Sequence, residues 1–251
     1  MPMPEKASKK ICIHQPDYLP WLGFFHKINL CDMLVVLDDC QLSKGSWTCR
    51  VYIAADGVKR WLTVPIFVKN RSGQLIKDVR ICSETNWNIK HMKTIAQFYM
   101  KGAFFKELED LLSPVFEKKY DFLLDLNMDF ITRLLEFMSI DREIKFSSEV
   151  DCRKSVSTER LVNIIKASES DTYICGMGSS GYLKPELFEN EGIKLYYQIY
   201  ETFEYAQFNT DHFIPGLSII DTIANIGREG VKRLLETNNE LNVTILGKEN
   251  N

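Results

Sequence analysis

The run MLVVLDD at 33 to 39 limits the possible folds more than any other stretch, because an unbroken apolar segment ends abruptly in two acids. A strand with water on one face alternates apolar and polar residues. A continuous apolar run instead reads as a strand covered on both faces, as in a parallel sheet whose crossovers lay helices on each side. KICIH at 10 to 14 reads as a second short strand, and WLGFFHKINL, following Pro20, reads as a helix that starts from the preset φ of the proline. Two strands joined by a helix make a β-α-β unit, whose ligands gather outside the carboxyl ends of the strands. His14 and Asp38 both fall at such ends, and we expect them to face a common hollow.

The remaining chain extends this pattern. CRVYIAADGVKRWLTVPIFV places two β-rich runs around Asp56-Gly57, a hairpin signal. QLIKDVRIC at 74 to 82 alternates like a further strand. From 86 to about 140 the period becomes helical, with helices expected at 88–100, 102–112 and 115–138. EIKFSSEVD returns to extended structure, and a helix is expected from Ser157 through Ile165 with a threonine as its cap. DTYICGMGSSGYL again runs a strand into a polar loop. KLYYQIYETFEYAQF reads as extended, and LSIIDTIANIG and REGVKRLLE as two helices separated near Gly227. With 251 residues, 45% of them hydrophobic, the chain can bury one large core. We expect one α/β domain over 10–237, a mainly parallel Rossmann-like sheet flanked by helices, with a β-hairpin and a helical insertion at about 86–140. The ends, 1–9 and 238–251, read as disordered tails.

Charge and cysteine usage narrow the function classes. A formal net charge of −3 lacks the basic excess of a nucleic-acid binder. No segment reads as a signal peptide or as an apolar membrane span, so a cytoplasmic protein without membrane insertion is expected. The seven cysteines, at 12, 31, 40, 49, 82, 152 and 175, are scattered and lack CxxC pairs, so they read as buried small apolar residues. No set of metal ligands stands out, and His14 and His26 are not spaced as a zinc pair.

Four groups of residues invite a chemical reading. Around the first strand end stand His14, Gln15, Asp17, Tyr18, Trp21, His26 and Lys27; the plain alternative is a strand-end cap and a half-buried helix histidine. LDDCQLSKGSWTCR offers Asp38 and Asp39 as bases or amine partners, with Gln41, Lys44 and Arg50 suited to an anion and Trp47 beside them. That loop could equally pair its charges with one another at little energetic gain. In GMGSSGYLK, Gly178, Ser179, Ser180, Gly181 and Tyr182 could receive a phosphate, although the spacing matches neither GxGxxG nor a P-loop and a tight turn would look the same. Gln207, Asp221 and Asn225 lie near the carboxyl end as a pocket wall or as hydrogen-bond partners of loops.

The blocks HQPDYLPWLGFFHKI (14–28), LDDCQLSKGSW (37–47) with Arg50, WLTVPI (61–66), GSSGYL (178–183) and FIPGLSIIDTIANIG (213–227) resemble the WbqC-like family, found among genes for bacterial surface polysaccharide. Gly45 and Cys49 depart from the larger or more polar residues expected there. The opening β-α-β unit is also similar to nucleotidyltransferase-like α/β enzymes, without their HxGH motif.

The family resemblance implies a transferase of O-antigen synthesis that forms an amide, placing glycine or a related acyl group on the amino group of a deoxyaminosugar linked to dTDP or UDP. In that reading His14, Asp38 and Asp39 are catalytic, and the other singled-out residues bind substrate. The donor stays open between an adenylate made from ATP with Mg2+ and an acyl carrier. A homodimer is one expected assembly, and a non-catalytic sugar-nucleotide-binding protein of an assembly system is the alternative.

Overall fold

The structure is a computed structural model that describes residues 8–67, 73–150, 155–200, 202–208 and 210–237. Most of both expected tails, and Cys152, lie outside the described residues.

Five strands form one parallel sheet: β1 (Lys10–His14), β2 (Met33–Val36), then β5 (Glu143–Phe146), β6 (Thr172–Gly176) and β7 (Lys194–Gln198), in the spatial order β5-β2-β1-β6-β7. The expected α/β class is the observed one. Alternate residues of β1 enter separate cores, Cys12 on one face and Ile11 with Ile13 on the other. This two-sided burial explains the unbroken apolar runs. On the first face pack α1 (Leu22–Asn29), α4 (Leu123–Phe137) and α7 (Ile219–Thr237), and on the second α5 (Ser157–Ala167) and α6 (Pro185–Glu189).

The hairpin, β3 (Arg50–Ala55) and β4 (Val58–Thr63), stands apart as a two-stranded sheet. Its turn residues Asp56 and Gly57 both have positive φ, at 52° and 74°, the geometry whose twist suits a two-residue hairpin. The helical section comprises α2 (Trp87–Tyr99), α3 (Phe105–Phe116) and α4, and its buried residues merge with the first core. The expected third helix at 115–138 is broken at 117–122, where α3 ends and α4 has not begun.

Other expectations are corrected. Residues 74–82 form no strand: Ile76–Asp78 is a 3-10 turn, and the flanks make single bridges, Gln41 to Leu75, Ile66 to Ile81 and Arg80 to Phe122. Their apolar residues satisfy three different neighbours, so no continuous ladder forms. Extended structure in the aromatic stretch stops at Gln198, and 202–208 follow an irregular path. Thr158 does not cap α5; its hydroxyl accepts from the Lys184 N–H at 3.2 Å. At Gly227 (φ 65°, ψ −175°) the terminal helix kinks, as the sequence suggests.

Candidate functional site

β1 lies centrally: the chain leaves it through α1 to β2 on one side, and later supplies β6 on the other. The gap between β1 and β6 is therefore a topological switch point, where loops from neighbouring strands diverge and leave a crevice. A cavity of about 530 Å³ opens there. It is lined by His14 at the end of β1, by Gly176 to Ser179 from the end of β6, by Gln198 to Tyr200 from the end of β7, and by Trp21 and Lys27 of the α1 segment. A second cavity of about 380 Å³ shares His14 and Trp21 and adds Asp17, Tyr18, Pro20, Trp47, Val51 and Gly216. Among the described residues, His14 is the only titratable side chain that lines both.

His14 has 30% of its side chain exposed, and its ring stands edge-on to Phe24 at 4.9 Å. Burial, assisted by the nearby Lys27 ammonium, pushes its pKa down to about 3, so the imidazole is neutral near pH 7. Nδ1 lies 2.8 Å from the Gln15 carbonyl oxygen, which can only accept. The proton therefore sits on Nδ1 and the lone pair on Nε2. Asp17 approaches the same ring, Oδ2 to Nδ1 3.8 Å, and burial pushes its carboxyl up to about 7 against the opposing pull of Lys27 and a Thr48 hydroxyl 3.5 Å away.

Lys27 is 4% exposed, and among the described residues its ammonium has no hydrogen-bond or ion-pair partner. Burial lowers its pKa, opposed by Cys12, Cys31, Cys175 and Asp17. Trp21 owes its position to Gly23, where a Cβ would meet the indole at 2.4 Å, and it stands edge-on to Tyr200 at 5.1 Å.

The strand ends of β1 and β2 do lie side by side, with His14 opposite Val36. Asp38 nevertheless does not join His14. It is 3% exposed and turns toward β5, on the opposite side of β2, where Oδ1 accepts from the Ser148 N–H at 2.9 Å and the Ser147 hydroxyl at 3.1 Å, and Oδ2 from the Ser148 hydroxyl at 2.6 Å. Asp39 accepts from Ser147 and pairs with Arg160; burial works against its ionisation, but these partners keep its pKa below the ordinary value. The acid that shares a hollow with His14 is Asp17. Tyr18 lines the second cavity while its hydroxyl bonds His91 Nδ1 at 2.8 Å, and Trp47 forms another wall.

Twelve singled-out residues line neither cavity. His26 is 1% exposed and meets the Gln198 amide at 2.7 Å, tying α1 to β7. Gln15 accepts from the Ser46 and Thr48 hydroxyls at 3.4 Å. Gln41 and Lys44 are exposed. Arg50 donates to the Gly45 carbonyl at 3.0 Å and lies 3.9 Å over the Trp61 ring. Glycine at 45 fits this arrangement: its φ is 70°, and a Cβ would stand 2.5 Å from the Arg50 guanidinium. Gln207, Asp221 and Asn225 are loop clamps. Asp221 is fully buried, accepting from Tyr99, Tyr205 and Gln207 at 3.1, 2.7 and 2.8 Å, and Asn225 accepts from the Phe208 N–H at 2.9 Å.

After β6, Gly178, Ser179 and Tyr182 line the first cavity, whereas Ser180 and Gly181 do not. The expected hydroxyl donors are used internally: Ser179 donates to the Gly176 carbonyl at 2.7 Å and Ser180 to that of Met177 at 2.9 Å. α6 begins only at Pro185, so these serines do not open a helix. Gln198 and Tyr200 are cavity residues that sequence reasoning passed over, although both sit where β7 ends. Their signal was present, but an aromatic run reads first as core.

The chain is 28% identical over 222 residues to the uncharacterized protein Rv1507c of Mycobacterium tuberculosis, a match that covers 88% of this chain and 95% of the relative. No solved structure matches it. The model of the WbqC-like protein family matches residues 15–233, which takes in the His14-Asp17 loop from its second residue, the Gly176–Ser179 turn and most of α7, and the chain belongs to that family.

Proposed function

We propose that the protein is an amide-forming transferase of bacterial surface polysaccharide (O-antigen) synthesis, placing an aminoacyl or related acyl group on the amino group of a deoxyaminosugar linked to dTDP or UDP. Family membership supports the setting. The observation that carries the chemistry is the neutral His14 imidazole, with its lone pair on Nε2, at the junction of the two cavities. A protonated amine has no lone pair for attack, so the reaction needs a base that is unprotonated near neutral pH.

In this reading Asp17 receives the acceptor's ammonium in the second cavity, against Trp21 and Trp47. The ammonium gives its first proton to the Asp17 carboxylate, whose pKa of about 7 suits that transfer, and the freed amine nitrogen attacks the acyl carbonyl to form the new C–N bond. The bond from the acyl carbon to its carrier breaks, His14 takes the nitrogen's proton, and the leaving group departs with that proton. An adenylate made from ATP with Mg2+ and a carrier thioester both satisfy this balance. Sugar nucleotides of this kind place the reaction in the cytoplasm.

The test incubates purified protein with each donor type, a panel of amino acids and dTDP- and UDP-linked aminosugars, read by mass spectrometry. The acceptor should gain one aminoacyl mass, and His14→Asn should slow the gain by about 10²- to 10⁴-fold. Retained sugar-nucleotide binding with no mass gain under any donor would replace this reading with the non-catalytic binding protein.

A further inference from the structure

Three glycines at and just beyond the end of β6 lack the usual reasons for being glycine. Gly176, Gly178 and Gly181 do not have positive φ, and a Cβ added at any of them would meet no atom within 4 Å. Neither backbone conformation nor packing asks for a missing side chain here. What remains is close approach by something outside the chain, and Gly176 and Gly178 line the cavity at the switch point. The same cavity is lined by Lys27, buried and without a hydrogen-bond or ion-pair partner among the described residues. A lysine whose stem is buried and whose head group lines a cavity without an ion-pair partner is suited to pair with an entering anion.

We propose that Lys27 and the Gly176–Ser179 turn form the receptor for a phosphoryl group, that of a nucleoside diphosphate. The proposal deepens the sugar-nucleotide reading and rests on it for the identity of the ligand, whereas the anion follows from the lysine and the glycines. Groups near Lys27 do not replace the anion. Cys31 and Cys175 have thiols pushed up by burial, and Cys12 donates to the Met33 carbonyl at 3.7 Å. Against the opposing effect of burial, Cys31 and Lys27 hold the Cys12 pKa below its ordinary value, yet its thiol proton is engaged by the Met33 carbonyl. The remaining neighbours are His14, which is neutral near pH 7, and Asp17, whose charge is felt by Lys27 but whose carboxyl, raised to about 7, stands too far from the ammonium to form an ion pair. Burial lowers the Lys27 pKa, and an anion seated beside the ammonium works in the opposite direction.

Calorimetric titration with UDP, dTDP and pyrophosphate at about pH 8 reads the affinity. The expected results are binding by the native chain and at least about tenfold weaker binding by Lys27→Met. Lys27→Met should also melt higher than the native chain, since it removes a buried charge. Gly178→Val, with open space for its side chain, should weaken binding while folding normally, and decides the matter should Lys27→Met not fold. The proposal is overturned if the native chain binds none of the three probes, if Lys27→Met and Gly178→Val bind them as well as it does, or if borohydride instead traps a sugar aldehyde on Lys27. Diphosphate binding that depends on Lys27 without any acyl transfer leaves the subsite standing and removes the transferase reading. Transfer with an unchanged KM in Lys27→Met does the reverse.

Discussion

Asp17 and Asp38 show how neighbours decide the role of a carboxylate. Each follows a strand of the same β-α-β unit, and in the sequence Asp38 looks the better base because it closes an apolar strand. Two serines and a backbone N–H from the segment after β5 occupy its oxygens, leaving it a structural acceptor. Asp17 has one weak hydroxyl contact and a pKa raised to about 7, which makes it the titrating acid of the site. Its stability effect has a definite sign. The folded pKa exceeds that of a free carboxyl, so the native state holds the proton more tightly, and stability falls as pH rises from about 4 to 7. Asp17→Asn, a permanent mimic of the neutral acid, should therefore raise the melting temperature at about pH 8 and leave it nearly unchanged at about pH 4. Thermal scans at the two pH values check this, and an equal shift at both would contradict the assignment.

Among the secondary structure elements, the clearest constraint is the kink in α7. Gly227 has φ 65° and ψ −175°, and a Cβ there would stand 2.4 Å from the Phe104 ring. Gly227→Ala meets both strain and overpacking, and should destabilise by about 2 kcal/mol or more in urea titration. The hairpin and this kink were legible because glycine at a required conformation is a local signal. The stretch 74–82 misled because its apolar spacing resembles alternation, whereas Ile76, Val79 and Ile81 are buried beside separate partners: Ile76 N–H donates to the Cys40 carbonyl at 3.0 Å and Ile81 N–H to that of Asp121 at 2.9 Å. No pattern within nine residues records partners so far along the chain.

Across the molecule, two neutral histidines tie folding to pH. Burial pushes His14 down to about 3 and His91 to about 4, the latter held between the Tyr18 hydroxyl and the Thr63 carbonyl at 2.8 and 3.1 Å. Both native pKa values lie below that of a free histidine, so the unfolded chain binds more protons in acid. Their contribution is complete above about pH 6.5 and is lost as pH falls toward 4 and 3. The unfolding free energy should decline over that window, and His91→Gln should flatten the decline while lowering stability at about pH 7 by about 1–3 kcal/mol, from the buried Tyr18 hydroxyl it disturbs. An unchanged acid slope in that variant would count against the neutral His91.

The parallel sheet, the hairpin, the helical section and the crowding of polar residues after β1 were all written in local patterns: unbroken apolar runs, a turn dipeptide, a shift of period, and a proline-framed loop. Such patterns act over a few residues and survive whatever the rest of the chain does. Which acid meets the imidazole depends on which strand flanks β2 on its far side, and β5 arrives more than a hundred residues later. The isolation of Lys27 and the unfilled space around the glycines after β6 depend likewise on how distant segments pack, because burial and partnership are properties of the assembled neighbours.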